Sequence, residues 1–579
     1  MYNKYILYGG GCMASLQKIK SKGINYYSIV ESRRVNGKPT PVTIAYLGNI
    51  ENILNMFNSK NNNVSRDINF KSYSYGAVYA LWKIAQKHNI TKYLNSFFPK
   101  QTRNGLSRGE TILLASIYRA IYPGSKNEFS ERMAETSLAS IAKYDPNKTT
   151  SQHFWSQMNG IEEKMLYDAE DAIAEHILGY YDINPDKLAL DYTNYFTYID
   201  SNNDKSKIAK RGHNKQKRDD LRQFSLGLVT SKELAIPLCS YVYEGNITDV
   251  SAFPKYLDLF RTRIGHYTDA TDITLIYDNG SVSKKNLLEL KSREPQYHYV
   301  CAFSLSCYRE LLDIPMDDYK TVSICGDKDI LCYRTTEDIW GEKNECILIY
   351  SEDLYNGQYK GLLTSTRRKE QELKKLKEQL RNPKSRISKA ASAIDARIKN
   401  IIKGDFGESI FEINKIGIRI IKDIDFSVNY DIMEEICNKH YGKRLIITDR
   451  FTWTTEEILE AYWGQSDIEK IFKDSKNGHH FSVQPQYHWT DSKVRVHTFC
   501  CLLGLLLTSI LKKELSDSGI KMENKKIIDT LSGIREVYVL TPDKKSKNDF
   551  SVEKKLEQMS LIQQDIWSVL EKKVYCKKK

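Results

Sequence analysis

The chain carries 11 cysteines in 579 residues, yet no two form a CxxC pair and no histidine partners stand at zinc spacing. A zinc ribbon or disulfide framework has no basis there, and a reducing cytoplasm is the expected setting. Long apolar runs are also scarce. The longest, FCCLLGLLLTSIL from Phe499 to Leu511, falls short of the ~20 residues a bilayer span needs and is flanked by Arg495, Lys512 and Lys513. It reads as a core helix, and no membrane association is expected. The opening YILYGGGC lacks the apolar region of a secretory signal.

What the chain has instead is length and positive charge. With 579 residues, several domains can each bury a core. Lysine and arginine outnumber aspartate and glutamate by 86 to 73, a net +13. Between Arg367 and Lys403, 13 basic residues face four acidic ones. Such a concentrated surplus points to a polyanionic partner, and a solvated helical face would look similar. At the start, Gly9-Gly10-Gly11-Cys12 before Met13 must be encoded by GGN-GGN-GGN-TGY-ATG, which accommodates a purine-rich ribosome-binding sequence. Translation is therefore expected to begin at Met13, and mass spectrometry of the native N-terminal peptide checks this.

Two β-rich runs, 25–34 and 40–48, surround Asn36-Gly37, a strong hairpin signal, and make an N-terminal β unit within residues 1–57. NSKNNNVSRD (58–67) reads as a linker. From 68 to 182 the apolar spacing is helical. TTSQHFWSQMNG (149–160) there is either a DNA-recognition helix or part of a structural bundle. After Pro185 the pattern turns to three strands, a helix and a fourth strand, up to 295. That order opens a ribonuclease H-like fold, although many α/β domains share it. Residues 296–443 read as a β-rich insertion with a basic helical hairpin broken at Pro383, 444–515 as the second part of the core, and 516–579 as a C-terminal region. TTEE at 454–457 is a capping box. Ile562, Ile566, Val569 and Leu570 of the last helical segment could pair protomers or pack on their own chain.

Asp191 stands at the polar edge of the strand LALDYT, and Asp278 stands where ITLIYD runs into NGS. Carboxylates at strand ends are held by a rigid sheet and can face a cleft, as metal ligation requires. In YWGQSDIEKIFKDSK, counted at about 100° per residue, Tyr462, Gln465, Glu469, Lys473 and Lys476 fall within a sector of about 80°, beside an apolar sector of Ile468, Ile471 and Phe472. Gly464 is the one residue there able to break the helix.

This stretch resembles the signature Tyr-x2-Arg-x3-Glu-x6-Lys of bacterial insertion-sequence transposases of the DDE type, with spacing intact and Gln465 in place of the Arg. The resemblance extends to LALDYTNYFT, GHNKQKRDDLRQFSLGL, EGNITDVSAF, YDNGSVSKKNL, YRAIYPGSK, VHTFCCLLGLLL and the segment from Met13. It implies an α/β fold with a ribonuclease H-like catalytic core, interrupted by the insertion and preceded by a helical DNA-end-binding region. It implies a catalytic and metal-binding triad of Asp191, Asp278 and Glu469, holding two Mg²⁺ ions for which Mn²⁺ can substitute. Tyr462, Gln465, Lys473 and Lys476 would contact DNA near the scissile bond. Lys210, Arg211, Lys217 and Arg218, in the basic loop after the first strand, would contact flanking DNA, or are simply solvated.

The implied partners are double-stranded DNA with terminal inverted repeats and target DNA, bound by a homodimer or larger assembly in the bacterial cytoplasm at the nucleoid. Trp340 is read as a core residue or as one that stacks on an extruded base, and His497 as structural. Two other readings stay open: a metal-dependent nuclease that does not join DNA, and an inactive, domesticated DNA-binding protein.

Overall fold

The computed structural model describes residues 6–7, 14–21, 24–35, 38–49 and 69–571, apart from 233–234, 267–271, 293–295, 325–327, 477, 479, 485 and 543–549. The glycine run with Met13, the Asn36-Gly37 turn itself and the polar stretch 58–67 lie outside the described residues. The strands flanking that turn lie inside them. β1 (Ala14–Ser21), β2 (Ile24–Val35) and β3 (Lys38–Asn49) pair antiparallel, with Val35 opposite Lys38, the register a tight two-residue turn imposes.

The helical spacing after Tyr75 resolves into short helices. Among them, α1 (Arg108–Ile121) opens on a capping box of Ser107 and Glu110. α2 (Ser151–Gln157) is the segment considered for DNA recognition. It is only seven residues long, and His153, Phe154 and Gln157 face the interior, leaving one side open. α3 (Glu163–Tyr181) closes the region.

Nine strands then form one mixed sheet. They are β4 (Lys187–Thr197), β5 (Arg222–Ser231), β6 (Pro237–Glu244), β7 (Ile273–Tyr277), β8 (Tyr297–Phe303), β9 (Lys320–Ile324), β10 (Lys328–Ile339), β11 (Glu342–Tyr350) and β12 (Lys443–Thr448), in spatial order β6-β5-β4-β7-β8-β12-β11-β10-β9. β4, β7 and β8 run parallel, and every other neighbouring pair is antiparallel. The strands of the expected insertion do not form a sheet of their own. β12 is buried along Leu445, Ile446 and Ile447 and needs a partner on each edge. It takes β8 on one side and β11 on the other, so the inserted strands continue the sheet.

The rest of the expected insertion is α5 (Glu352–Arg381), α6 (Ala391–Ile402), a hairpin of 411–416 with 423–428 and the helix Tyr430–His440. Pro383 lies between α5 and α6, as expected of a helix breaker. Leu373, Leu376 and Leu380 of α5 pack with Ile394 and Ile398 of α6 in an apolar cluster separate from the sheet's cores.

Strand residues alternate between two cores. Leu275, Tyr277, Tyr299 and Cys301 join the larger core, while Ile276, Val300, Ile347 and Ile446 pack with Ile458 and Leu459 of α7 (Thr455–Trp463). Both faces are covered, so these strands are nearly continuously apolar. α7 opens on the expected capping box of Thr454 and Glu457. It is followed, one residue on, by α8 (Gln465–Lys476).

The apolar run 499–511 sits in α9 (Asp491–Asp517). Among the described residues α9 is the one helix long and apolar enough to cross a membrane, and 94% of its apolar window is buried inside the chain. The helix Leu561–Glu571 buries Ile566 and Leu570 against its own chain and anchors Glu571 to Lys83 (2.9 Å) and Tyr79 (2.7 Å). Cys301, Cys307, Cys332, Cys346, Cys437, Cys500 and Cys501 are free thiols.

Helix α4 (Asp249–Ile264) ties the sheet to the helical region through its last turn. Buried Arg263 donates to Asp171 (2.8 Å) and Glu170 (2.8 Å) of α3 and to the Ser240 carbonyl of β6 (2.6 Å). The first turn of α4 reaches the site described next.

Candidate active site

Asp191 lies within β4. Its neighbour β7 is parallel, with Ile276 in register with Ala189. Continued by two residues, that register brings Asp278, just past the end of β7, level with Asp191 and on the same face, roughly one interstrand spacing of about 5 Å away. Tyr195, two alternations along β4 from Asp191, bonds its hydroxyl to Ser475 Oγ of α8 at 2.6 Å, so α8 covers this same face.

The turn after Asp278 is fixed by local chemistry. Ser283 caps the helix Lys284–Lys291, and buried Asn286 donates to the carbonyls of Ser281 (2.8 Å) and Val250 (3.1 Å), holding the NGS turn against α4. The loop after β4 is stapled likewise. Gln223 donates to the carbonyls of His213 (3.0 Å) and Gly245 (2.6 Å), and a Cβ on Gly245 would overlap the Gln223 carbonyl, so glycine is required at that close approach.

The loop's Lys215 donates to the Tyr192 carbonyl (2.8 Å) and to Asp249 Oδ2 (3.1 Å). Asp249 in turn lies 3.4 Å from where a Cβ of Gly280 would stand. A fourth carboxylate therefore stands beside the two strand aspartates. EGNITDVSAF contained it, but nothing in a lone Asp at a helix start distinguishes it from an N-terminal charge.

The electrostatics reflect this crowding. Burial pushes the Asp191 carboxyl up to about 7, with Asp249 and Asp278 raising it further against Lys215 and the Tyr192 amide. Burial and then the Asp278 charge raise the Glu469 carboxyl, opposed by the Arg444 guanidinium. Tyr462 is pushed up to about 12, chiefly by burial, with Arg444 beside it pulling down and Asp278 and Glu469 pushing up. Lys476 is drawn down to about 8 by burial and then Lys215, against Asp191 and Asp249, and its ammonium lies 5.7 Å from the Tyr195 ring centre. Asp278 thus acts on both Asp191 and Glu469, while Lys476 is coupled to Asp191 and Arg444 to Glu469.

The signature stretch departs from the expected single helical face. The helix breaks at Gly464, so Tyr462 belongs to α7 and Gln465 opens α8. Gln465 joins Ile468, Phe472 and Ser475 on the inward stripe of α8. It is 3% exposed, and its amide has no hydrogen-bond partner among the described residues. The expectation that Gln465 contacts a DNA phosphate is corrected accordingly: the stripe that packs α8 on β4 takes it inside. Replacing it with the apolar, similarly shaped Met is expected to raise stability by about 1–2 kcal/mol, read as a higher melting temperature.

The cation nearest Tyr462 and Glu469 is Arg444 of β12, which sequence reasoning missed because it precedes the signature and lies on a strand. Lys473 is exposed on α8. In the basic loop, Lys210, Arg211 and Lys217 are exposed, whereas Arg218 is paired with Asp220 (2.9 Å) and lies over the Phe196 ring. Trp340 sits at the β10–β11 turn, edge-on to Phe303 at 5.1 Å, as a partly buried packing residue. His497 is buried and structural in its contact with the Val483 carbonyl (3.0 Å).

The donor set is of the kind a hard divalent cation takes: oxygen ligands, two of them level on adjacent strands, with Asp191 half-buried. Among the described residues, no three histidine, cysteine, aspartate or glutamate side chains are drawn close enough together to hold a metal ion. Glu469, exposed on α8, feels Asp278 but not Asp191.

No curated protein matches the sequence. One solved structure to which the chain is similar is described as the cryo-EM structure of a piggyBac transposase synaptic complex with hairpin DNA, with 8% identity, a TM-score of 0.38 and 79% of each chain covered. No residue role is carried over at that distance. Residues 16–62 match the family described as IS1634 family transposase, N-terminal domain, so the N-terminal β unit is similar to the segment that opens those transposases.

Proposed function

We propose that the chain is a DDE-type DNA transposase that cuts DNA at the terminal inverted repeats of an element and joins the freed ends to target DNA. The observation that carries this reading is the placement of Asp278 level with Asp191 on adjacent parallel strands, with the Glu469 helix packed on the same face. The order β6-β5-β4-β7-β8, antiparallel and then parallel, supports a ribonuclease H-like core, and the match at 16–62 supports the transposase class.

Asp191, Asp278 and Glu469 would hold two Mg²⁺ ions, or Mn²⁺, which activate the attacking oxygen and stabilise the leaving one. Every other step falls to the chain itself. Lys476, coupled to Asp191, and Arg444, coupled to Glu469, would hold the phosphates beside the scissile bond. Tyr462, held neutral, offers a hydroxyl rather than a charge. Lys215 restrains Asp249 by donating to it and is also the main positive charge acting on Asp191. With water as nucleophile the result is cutting. With a DNA 3′-hydroxyl it is joining, with no covalent protein intermediate.

Arg444 takes the spatial role of the arginine that Gln465 replaces. Arg444→Gln is expected to slow cutting about tenfold to a hundredfold at saturating DNA, with the loss in turnover rather than affinity. The function itself is tested with purified protein, Mg²⁺ and labelled DNA ending in the element's repeat. Coupled cutting and joining is the expected result, whereas cutting without a joined product would replace this reading with that of a nuclease.

A further inference from the structure

YRAIYPGSK and QYHW, which no step above uses, meet in space. They line a cavity of about 470 Å³ with Arg119, Ser125, Lys126, Trp155, Tyr487 and Trp489 in its wall. Trp155 stacks on Trp489 (5.5 Å between centres, 26°), and His488 stacks on the same Trp155 ring (6.3 Å, 27°). Tyr487 is 60% exposed, so its ring is open to a ligand, while Trp489, between Trp155 and Lys205, keeps 40% of its surface exposed.

The base of the cavity holds two basic side chains, and burial, with Arg119 beside it, holds Lys126 below its ordinary range, so an arriving anion would favour its charged form. Lys126 donates to His488 Nε2 (3.1 Å) and His497 Nδ1 (3.4 Å). His497 Nε2 faces the Val483 carbonyl and carries the proton there, so its Nδ1 is a neutral acceptor. Arg119 donates through its two terminal nitrogens to the carbonyls of Gly124, Ser482 and Gln484, while its Nε has no hydrogen-bond partner among the described residues. Among the described residues neither cation has a carboxylate partner. Glu128, the acid nearby, is engaged by Ser125 Oγ at 2.8 Å.

Open aromatic rings above two cations without counter-charges are the chemistry of a nucleoside phosphate. We propose that this cavity binds an unpaired nucleotide of the DNA, its base stacked on Tyr487 and against the exposed edge of Trp489, and its phosphate on Lys126. The DNA strand is favoured over a free nucleotide by continuity with the active site. Lys205, in the loop that leaves the Asp191 strand, lies 5.1 Å over the Trp489 ring. Asp491 fastens that loop by accepting from Ser206 Oγ (2.8 Å) and the Lys207 amide (3.1 Å). A strand leaving the carboxylates along this loop reaches the rings.

The inference rests on the DNA-transposase reading. Its test uses the full chain in chelator, with a labelled duplex bearing an unpaired four-nucleotide tail, the same duplex blunt-ended, and deoxyadenosine monophosphate as competitor. Wild type should prefer the tailed duplex. Trp489→Ala and Tyr487→Ala, both at exposed rings, should each weaken tailed binding about tenfold, with blunt binding within about twofold and melting unchanged. Displacement of the tail by the mononucleotide in wild type, lost in Trp489→Ala, would keep the nucleotide site but make the free nucleotide its source. Equal binding of tailed and blunt duplexes by wild type, or tailed affinity unaltered in both variants, overturns the cavity's role. Failure of wild type to bind either duplex overturns the DNA reading itself.

Discussion

Asp191→Asn and Asp278→Asn are each expected to lower Mg²⁺-dependent strand cutting by roughly 10³-fold or more, with little change in DNA binding, if they belong to the proposed site. Metal-assisted phosphoryl displacement draws several kcal/mol from the ions its carboxylates hold, and about 1.4 kcal/mol is a factor of ten in rate. The Asp191 substitution carries a second signature without metal. Its carboxyl, ordinarily near 3.8, stands near 7 in the folded chain, so the folded state holds the proton more tightly than the unfolded one. That contribution to stability is complete below the ordinary value and is lost as pH rises to about 7. Above it, the chain carries a half-buried, ionised Asp191 crowded by Asp249 and Asp278. In chelator, Asp191→Asn should therefore melt several degrees higher than wild type at pH 8 and no higher at pH 5. A difference independent of pH would mean that Asp191 is not the titrating group.

Arg263→Met is expected to cost about 3–5 kcal/mol of stability, read as a lower denaturation midpoint, because it leaves two buried carboxylates without their cation. Burial alone would raise Glu170 and Asp171, and the Arg263 guanidinium is the largest opposing influence on both. Adding Glu170→Gln and Asp171→Asn to the variant should recover much of the loss, since the cost lies in the orphaned charges rather than in the missing arginine. The clamp also bears on the site. Arg263 ends the helix that Asp249 begins, so its loss frees the helix carrying the fourth carboxylate.

The parts of this architecture legible in sequence were those with local causes. The β2–β3 hairpin followed from alternation around Asn-Gly, the α7 start from Thr454 and Glu457, and the buried α9 from a run too short and too flanked by charge for a bilayer. The position of Asp278 just past its strand was legible too, because the apolar run ends there, whereas Asp191 lies inside β4, whose buried run continues beyond it. What was hidden depended on pairing between distant segments. Nothing in LIITDR says that β12 inserts between β8 and β11, and so Arg444 could not be seen beside Glu469. Gln465 was misplaced for a related reason. Helical angles put it at the margin of the apolar sector, and only the packing of α8 on β4 decides which margin is buried. Lys215 appeared as one cation in a basic loop, and the contacts to Tyr192 and Asp249 that set it apart exist only once that loop is stapled by Gln223.

Glu469, the acid farthest from the others in sequence, is proposed to act with the two strand aspartates. The most direct measurement is Mg²⁺-dependent cutting and joining of labelled terminal-repeat DNA by wild type and by Glu469→Gln, after both are shown to bind that DNA equally. The account predicts that wild type cuts and joins and that the variant does neither. A variant that cuts as well as wild type would leave Glu469 a solvated helix carboxylate and contradict the assignment.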